Sequence, residues 1–361
     1  MRADSFAESI ENNSARVRAF HNAVAEQFAR AAHTEHTHTR DFCIGDGIVR
    51  LEFAGDALIA PLTRALEHLR VKTAHAADLT IGLWEIESVG VGLPPPPWTN
   101  GAYLPRGELE GFTTPDYFTA FNADGRILFV YDVQNARAFV SVFDHTQLPA
   151  YERAAPLRPL LARFLETRHI QYVHAAGVGL RDGGVLLAGK GGAGKSTSSL
   201  ACLDSDLFFA GDDYCAARFD GIPNAYSLYN SAKGHASTIQ RLRFLEPLIT
   251  NPETMARDKA IFFLREHFPE KLIREFPLRA ILIPRVTGKP DTQVRVASPQ
   301  AALLALAPST VSQLPNAGAQ VFQHLTALVR QVPSFYLDAG TDLPQIPQTI
   351  LGVLREQGAQ T

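Results

Sequence analysis

Val185-Leu-Leu-Ala188, followed at once by Gly189-Lys190-Gly191-Gly192-Ala193-Gly194-Lys195-Ser196-Thr197, decides how this 361-residue chain is read. The four apolar residues have the character of a buried strand. The run after them matches G-x-x-x-x-G-K-[ST] at every fixed position, and Thr197 to Leu203 has helical character. Strand, glycine turn and helix, in that order, are the setting the pattern requires. Glycines let successive backbone N–H groups turn inward around phosphate oxygens, and the helix that follows presents its positive end to them. Lys195 is then expected to set its ammonium against the β and γ phosphates of a nucleoside triphosphate, with the Ser196 hydroxyl on magnesium. ATP with Mg2+ is the expected ligand, and Gly189 to Thr197 the loop that binds it. The plain alternative, a glycine-rich turn beside a chance lysine, leaves the complete match and its setting unaccounted for.

Downstream, Leu207-Phe-Phe-Ala-Gly-Asp212-Asp213 reads as a strand delivering two carboxylates to its C-terminal end, beside the phosphates. One aspartate can bind magnesium, directly or through water, and the other can accept a proton from an attacking hydroxyl. Neighbouring carboxylates repel, so one of them is expected to hold its proton more tightly unless a metal compensates. A surface turn after a strand is the alternative. Asp212 stands only 17 positions after Lys195, room for one short helix and one strand. The guanine-reading N-K-x-D of GTP-specific proteins has no better counterpart than Gly288-Lys-Pro-Asp291.

These residues resemble the HPr kinase/phosphorylase family of serine kinases, whose nucleotide domain is related to that of phosphoenolpyruvate carboxykinase. Three features carry the resemblance, in order. His174, within Tyr172-Val-His-Ala-Ala-Gly177, stands 15 residues before the loop and matches the family's His-Gly or His-Ala element. The glycine-rich loop is the second feature and the Asp212–Asp213 pair the third. The resemblance implies that Asp212 takes the proton from a serine hydroxyl, that Asp213 is its magnesium-side or loop-anchoring partner, and that His174 orients the carboxylates or the γ-phosphate. It spans about Tyr172 to Tyr214 and is closest to the divergent branch of HPr-kinase-like proteins, which includes kinases acting on peptide precursors. The glutamate–arginine–glycine signature of bifunctional members has no match in Tyr226-Ser-Leu-Tyr-Asn-Ser-Ala-Lys233-Gly-His235. The resemblance therefore does not extend to phosphorolysis; nor does it extend to HPr as the substrate, because the N-terminal half has no feature matching the HPr kinase N-domain. HPr kinases are hexamers, so it implies self-association. Lys233 could offer a cation to the transferring group, as an arginine finger does, or be an exposed loop lysine. Arg241 and Arg243 read as a solvated helix face, and Lys259 and Arg265 receive no assignment.

Working outward, the spacing of Val17, Phe20, Val24 and Phe28 predicts an amphipathic helix over Glu8 to His33. The tract His33-Thr-Glu-His36-Thr-His38 has no carboxylate or cysteine cluster behind it and reads as a solvated linker rather than a metal site. Alternation at Ile48–Phe53 predicts a strand, and Asp56 to Leu69 a capped helix. Asn122-Ala-Asp-Gly125 predicts a hairpin turn in which Gly125 takes a positive φ. Strands are expected at Arg126–Asp132 and Arg137–Phe143, and Gly92-Leu-Pro-Pro-Pro-Pro-Trp98 reads as a stiff surface connection, with a peptide-docking motif as the alternative. The second half predicts a helix near Leu157–Arg168 and strands at Ala280–Ile283 and Gln293–Ala297. Helices are expected near Pro299–Leu306, Gly318–Arg330 and Pro344–Arg355.

The expected fold class is thus α/β: a P-loop domain of the HPr kinase/phosphoenolpyruvate carboxykinase type over 157–361, preceded by an α+β domain over 41–156 and an N-terminal helix and linker over 1–40. A net charge of −3 gives no reason to expect nucleic-acid binding, which needs clustered Lys and Arg. Three scattered cysteines fit neither a disulfide framework nor a zinc site. With no signal peptide in Met1 to Val17 and no run near the roughly 20 apolar residues of a membrane span, a cytoplasmic protein is expected. The expected activity is transfer of the ATP γ-phosphoryl group to a hydroxyl of a protein, peptide or small molecule. A small-metabolite kinase and a non-catalytic nucleotide sensor are the alternatives.

Overall fold

The computed structural model describes residues 2–99, 102–104, 106–255, 258–314 and 318–359, with side chains from residue 13 onward. It is a mixed α/β structure in two compact units: residues 1–64 with 70–164, and residues 65–69 with 165–361. Among the described residues no helix is long and apolar enough to cross a membrane.

The first unit is a seven-stranded sheet with one long helix on it. Helix α1 (Arg2–Thr34) buries Val17, Phe20, Val24, Phe28 and Ala31, a stripe at steps of three or four residues. The strands are β1 (Thr37–Ile44), β2 (Gly47–Ala54), β3 (Arg70–Val71), β4 (Leu79–Glu85), β5 (Tyr117–Asn122), β6 (Ile127–Asp132) and β7 (Arg137–Val142). Their order is β3-β1-β2-β4-β7-β6-β5, with β2, β4 and β7 mutually parallel. Phe28 packs against Trp84 and Phe139. It fits because Gly82 lies below: a Cβ there would stand 2.9 Å from both Phe28 and Phe139. Phe28→Ala should cost about 3 kcal/mol or more, measured by urea unfolding followed on tryptophan fluorescence.

Three local expectations are corrected here. The histidine tract is no linker: α1 runs to Thr34 and β1 starts at Thr37, with His38 opposite Phe53, because the alternation of β1 carries Phe42 and Ile44 into the core. Asp56–Leu69 is not one capped helix. A short helix, α2 (Ile59–Thr63), starts without a side-chain cap and passes into a 3-10 turn over Arg64–Leu69. In the β5–β6 hairpin the positive φ belongs to Arg126 (49°), not Gly125. At Gly125 a Cβ would meet the end of the Ile127 side chain at 2.9 Å, so a larger residue there needs Ile127 to move. Three further short helices are α3 (Ile86–Val89), α4 (Ala150–Ala154) and α5 (Arg158–Glu166), the last running past Phe164, where this unit ends.

The second unit is built on a nine-stranded sheet. Its strands are β8 (Ile170–Val173), β9 (Ala175–Leu180), β10 (Gly183–Ala188), β11 (Phe208–Gly211), β12 (Cys215–Arg218) and β13 (Asn224–Ser227). A separate two-stranded ribbon is made by β14 (Ser231–Gly234) and β15 (Ala260–Phe263), after which β16 (Glu275–Val286), β17 (Gln293–Ala297) and β18 (Ser334–Ala339) return to the main sheet. The long strand β16 is its spine: Glu275–Pro277 pairs with β13, and the remainder runs parallel to β10 and β18. Helices α6 (Lys195–Ala201), α7 (Ala236–Arg241), α8 (Pro299–Gln313), α9 (Ala319–Gln331) and α10 (Gln345–Gly358) complete it. Helix α8 continues past Pro308, where the sequence predicted an end near Leu306; Ala307 and Thr310 are buried on either side of that proline. One core joins Val185 and Leu187 of β10, Leu200 of α6, Phe209 of β11, Leu282 of β16 and Ile350 of α10. That core fixes the glycine loop and the end of β11 in one frame.

Candidate functional site

The glycine-rich loop follows β10 directly and leads into α6. Ala193 N–H closes a turn on the Lys190 carbonyl at 3.2 Å. Gly192 (φ 79°) and Gly194 (φ 102°) take left-handed conformations that other residues adopt at a cost. Lys190, Gly191 and Gly192 form an exposed crown, whereas Lys195, the first residue of α6, is only 7% exposed. Its Nζ donates to the Gly189 carbonyl at 2.5 Å. Burial lowers the proton affinity of this ammonium; Asp213 and Asp212 oppose that, and Lys259 adds to it.

Strand β11 ends at Gly211, and the chain bends there so closely that a Cβ would stand 2.7 Å from the Tyr214 carbonyl. Asp212 and Asp213 follow on this bend. Asp212 is 1% exposed. Its Oδ1 accepts from Ser199 Oγ at 3.0 Å and its Oδ2 from the Lys233 backbone N–H at 2.9 Å, and the nearby Ser196 side chain also favours its charged form. Ser196 and Ser199 are three residues apart on α6 and so share a face. Sequence reading passed over Ser199, although that spacing was visible.

The Lys233 amide is available for a reason written in the ribbon. Lys233 faces Ile261 across β14–β15, but the Ile261 N–H donates to Asn251 Oδ1 at 2.7 Å and its carbonyl accepts from Thr250. Lys233 and Ile261 are therefore a non-hydrogen-bonded pair, and the Lys233 N–H turns outward to Asp212. Its ammonium continues to Asp213, with Nζ 2.9 Å from Oδ2. Lys233 is thus a half-buried strand residue paired with the acid, and the exposed-loop alternative does not hold. His174, between β8 and β9, stands with Nε2 3.8 Å from Asp213 Oδ1, and the Tyr214 ring lies beside both His174 and Lys233. The His174 Nδ1 is buried without a hydrogen-bond partner.

The structure therefore brings together all five side chains expected to do chemistry: Lys195, Ser196's neighbour on the loop, and Asp212, Asp213, His174 and Lys233 around it. The hydroxyl of Ser196 and the two carboxylates are the hard oxygen donors that magnesium takes alongside phosphate oxygens. The two acids are driven apart. Burial, and then the charge of Asp213, push Asp212 up to about 6. Burial also acts to raise Asp213, but Lys233, His174 and Lys259 outweigh it, and this carboxyl is held well below the usual range.

These shifts have opposite consequences for stability. A carboxyl raised on folding favours the folded state most below its unfolded value of 3.8, and that contribution fades as pH rises through about 6. Asp213, depressed on folding, contributes above its unfolded value and loses this only in more acid solution. Between pH 4 and 6 the Asp212 effect dominates, so Asp212→Asn should remove a loss of roughly 2–3 kcal/mol across that window. Urea midpoints of the variant and the parent at the two ends of the window measure it.

No family model matches the chain, and no curated protein matches it. Among solved structures, the Hpr(Ser) kinase/phosphatase from Coxiella burnetii is similar at 15% identity and a TM-score of 0.29, over 53% of this chain and 97% of that one. A likeness of that size does not assign the chain to a family.

Proposed function

We propose that this protein is an ATP-dependent kinase that transfers the γ-phosphoryl group to a hydroxyl, with serine in a protein or peptide as the acceptor. The observation that supports this most is the direct hydrogen bond that Asp212 accepts from Ser199, on the helix that opens with Lys195. It joins a pair of acids to a glycine loop of phosphate-binding pattern. The loop amides would hold the phosphates, and Lys195 would exchange its carbonyl partner for their charge. Magnesium, held by Ser196 and Asp213 with phosphate oxygens, would draw off charge that builds on the transferring group. Asp212 would take the acceptor's proton as the acceptor oxygen bonds to the γ-phosphorus and the bond to the β-phosphate oxygen breaks, releasing ADP. Its proton affinity near neutrality suits a base. Lys233 and His174 would orient Asp213 and the γ-phosphate.

A second assignment has one observation in its favour. The Asp213 side chain is 16% exposed and opens to solvent, where an acceptor can reach it, while Asp212 is enclosed. The pH profile of turnover decides: with Asp212 as base, the acid limb falls near pH 6 and is lost with its carboxylate. With Asp213 as base, Asp212→Asn keeps turnover and its limb lies far lower. The acceptor class is tested with γ-labelled ATP, Mg2+ and a panel of proteins, peptides and small hydroxyl compounds. Label in phosphoserine supports the reading; label only in a small metabolite, or tight ATP binding with no transfer to any of them, overturns it.

A further inference from the structure

Lys259, which has no role in the reading above, lies just before β15 in the segment that clamps the ribbon. The buried Asn251 donates from Nδ2 to the Lys259 carbonyl at 3.0 Å and accepts the Ile261 N–H at 2.7 Å, so the backbone on both sides of Ala260 is fixed. Register then places the side chain. Lys233 is opposite Ile261 and Gly234 opposite Ala260, the last pair of the ribbon; carried one residue further, the same register sets Lys259 opposite His235. Residues two apart on a strand share a face, and so do directly opposed ones. Lys259 and Lys233 are therefore on the same face of the ribbon, diagonal neighbours, and that face carries the Lys233 ammonium to Asp213.

We propose that Lys259 is a third phosphate-binding cation of this site, supplied by the β15 strand and directed at the γ-phosphate of the bound nucleotide. Lys259 is half-buried, and its charge acts on both Asp213 and Lys195. Three lysines brought around two carboxylates leave a net positive charge that an anion would neutralise. Lys195 follows the loop and serves the β and γ phosphates together; Lys233 is engaged by Asp213. A cation arriving from the ribbon side serves the terminal group alone. It would thus make the site discriminate triphosphate from diphosphate, holding ATP and releasing ADP.

This inference rests on the kinase reading, and the test separates the two. Affinities for ADP and for a non-hydrolysable ATP analogue, both with Mg2+, are measured by calorimetry on the whole chain, its Lys259→Met variant and its Lys259→Arg variant. Losing one charge-assisted contact, Lys259→Met should weaken the triphosphate analogue by about tenfold or more and ADP by less than about twofold, with Lys259→Arg recovering most of the loss. Equal losses for the two nucleotides, or no loss for either, overturn the role of Lys259 while the parent still binds. A parent chain that binds neither nucleotide overturns the kinase reading and this inference with it. Unchanged far-ultraviolet dichroism in the arginine variant shows that the ribbon has kept its fold.

Discussion

Lys195→Met is expected to lower phosphoryl transfer by about a thousandfold or more, since it removes a fixed cation from the place where charge develops. The fold should survive. The ammonium makes its contacts to loop carbonyls at Gly189 and Lys190, and a methionine of similar length fills the same space while leaving the core below α6 intact. Removing a buried ammonium also removes its desolvation cost, so the variant should unfold at an equal or higher urea concentration. Transfer from γ-labelled ATP, read beside the unfolding midpoint, checks both halves. Retained turnover in a folded variant would mean that the glycine loop is a structural turn.

The second large effect is at Asp212. Asp212→Asn should reduce transfer between about a hundredfold and ten-thousandfold, the usual span for loss of a general base. The same change should stabilise the chain near neutral pH, because the enclosed carboxylate pushed up to about 6 is replaced by a neutral group of the same shape. Loss of activity with gain of stability is a signature that simple damage to the fold does not produce. Its two donors, Ser199 and the Lys233 amide, still find an amide able to accept and donate. A variant that loses activity by unfolding would show the opposite stability change.

How much of this was legible in the sequence depends on the range of the interaction. The glycine loop is local: strand, turn and helix are contiguous, and their chemistry is carried by residue types that nothing else requires in that order. The arrival of Asp212 beside it was legible for the same reason, through the short stretch from Lys195. Helix α1 was visible from its stripe. The histidine tract was misread because the partner that makes it a strand, β2, fixes its register from outside. Ala65–Leu69 was misread as a helix end, yet it belongs to the second compact unit, where Asn230 donates to the Ala65 carbonyl and His68 meets Ser227 at 2.6 Å. Lys259 carried no signal at all. Its position follows from Asn251 clamping a ribbon whose two strands are separated by 25 residues, and no periodicity encodes that.

The central claim is that the glycine loop and the acid pair together hold the tail of a nucleoside triphosphate. A crystal structure of the full chain with a non-hydrolysable ATP analogue and Mg2+ tests it most directly. The account predicts phosphates cradled by the amides of Gly191 to Lys195, with the γ-phosphate between the Lys195 ammonium and the Asp212–Asp213 bend. Nucleotide bound elsewhere, or a loop that keeps Lys195 on its own carbonyls at saturating analogue, would contradict it.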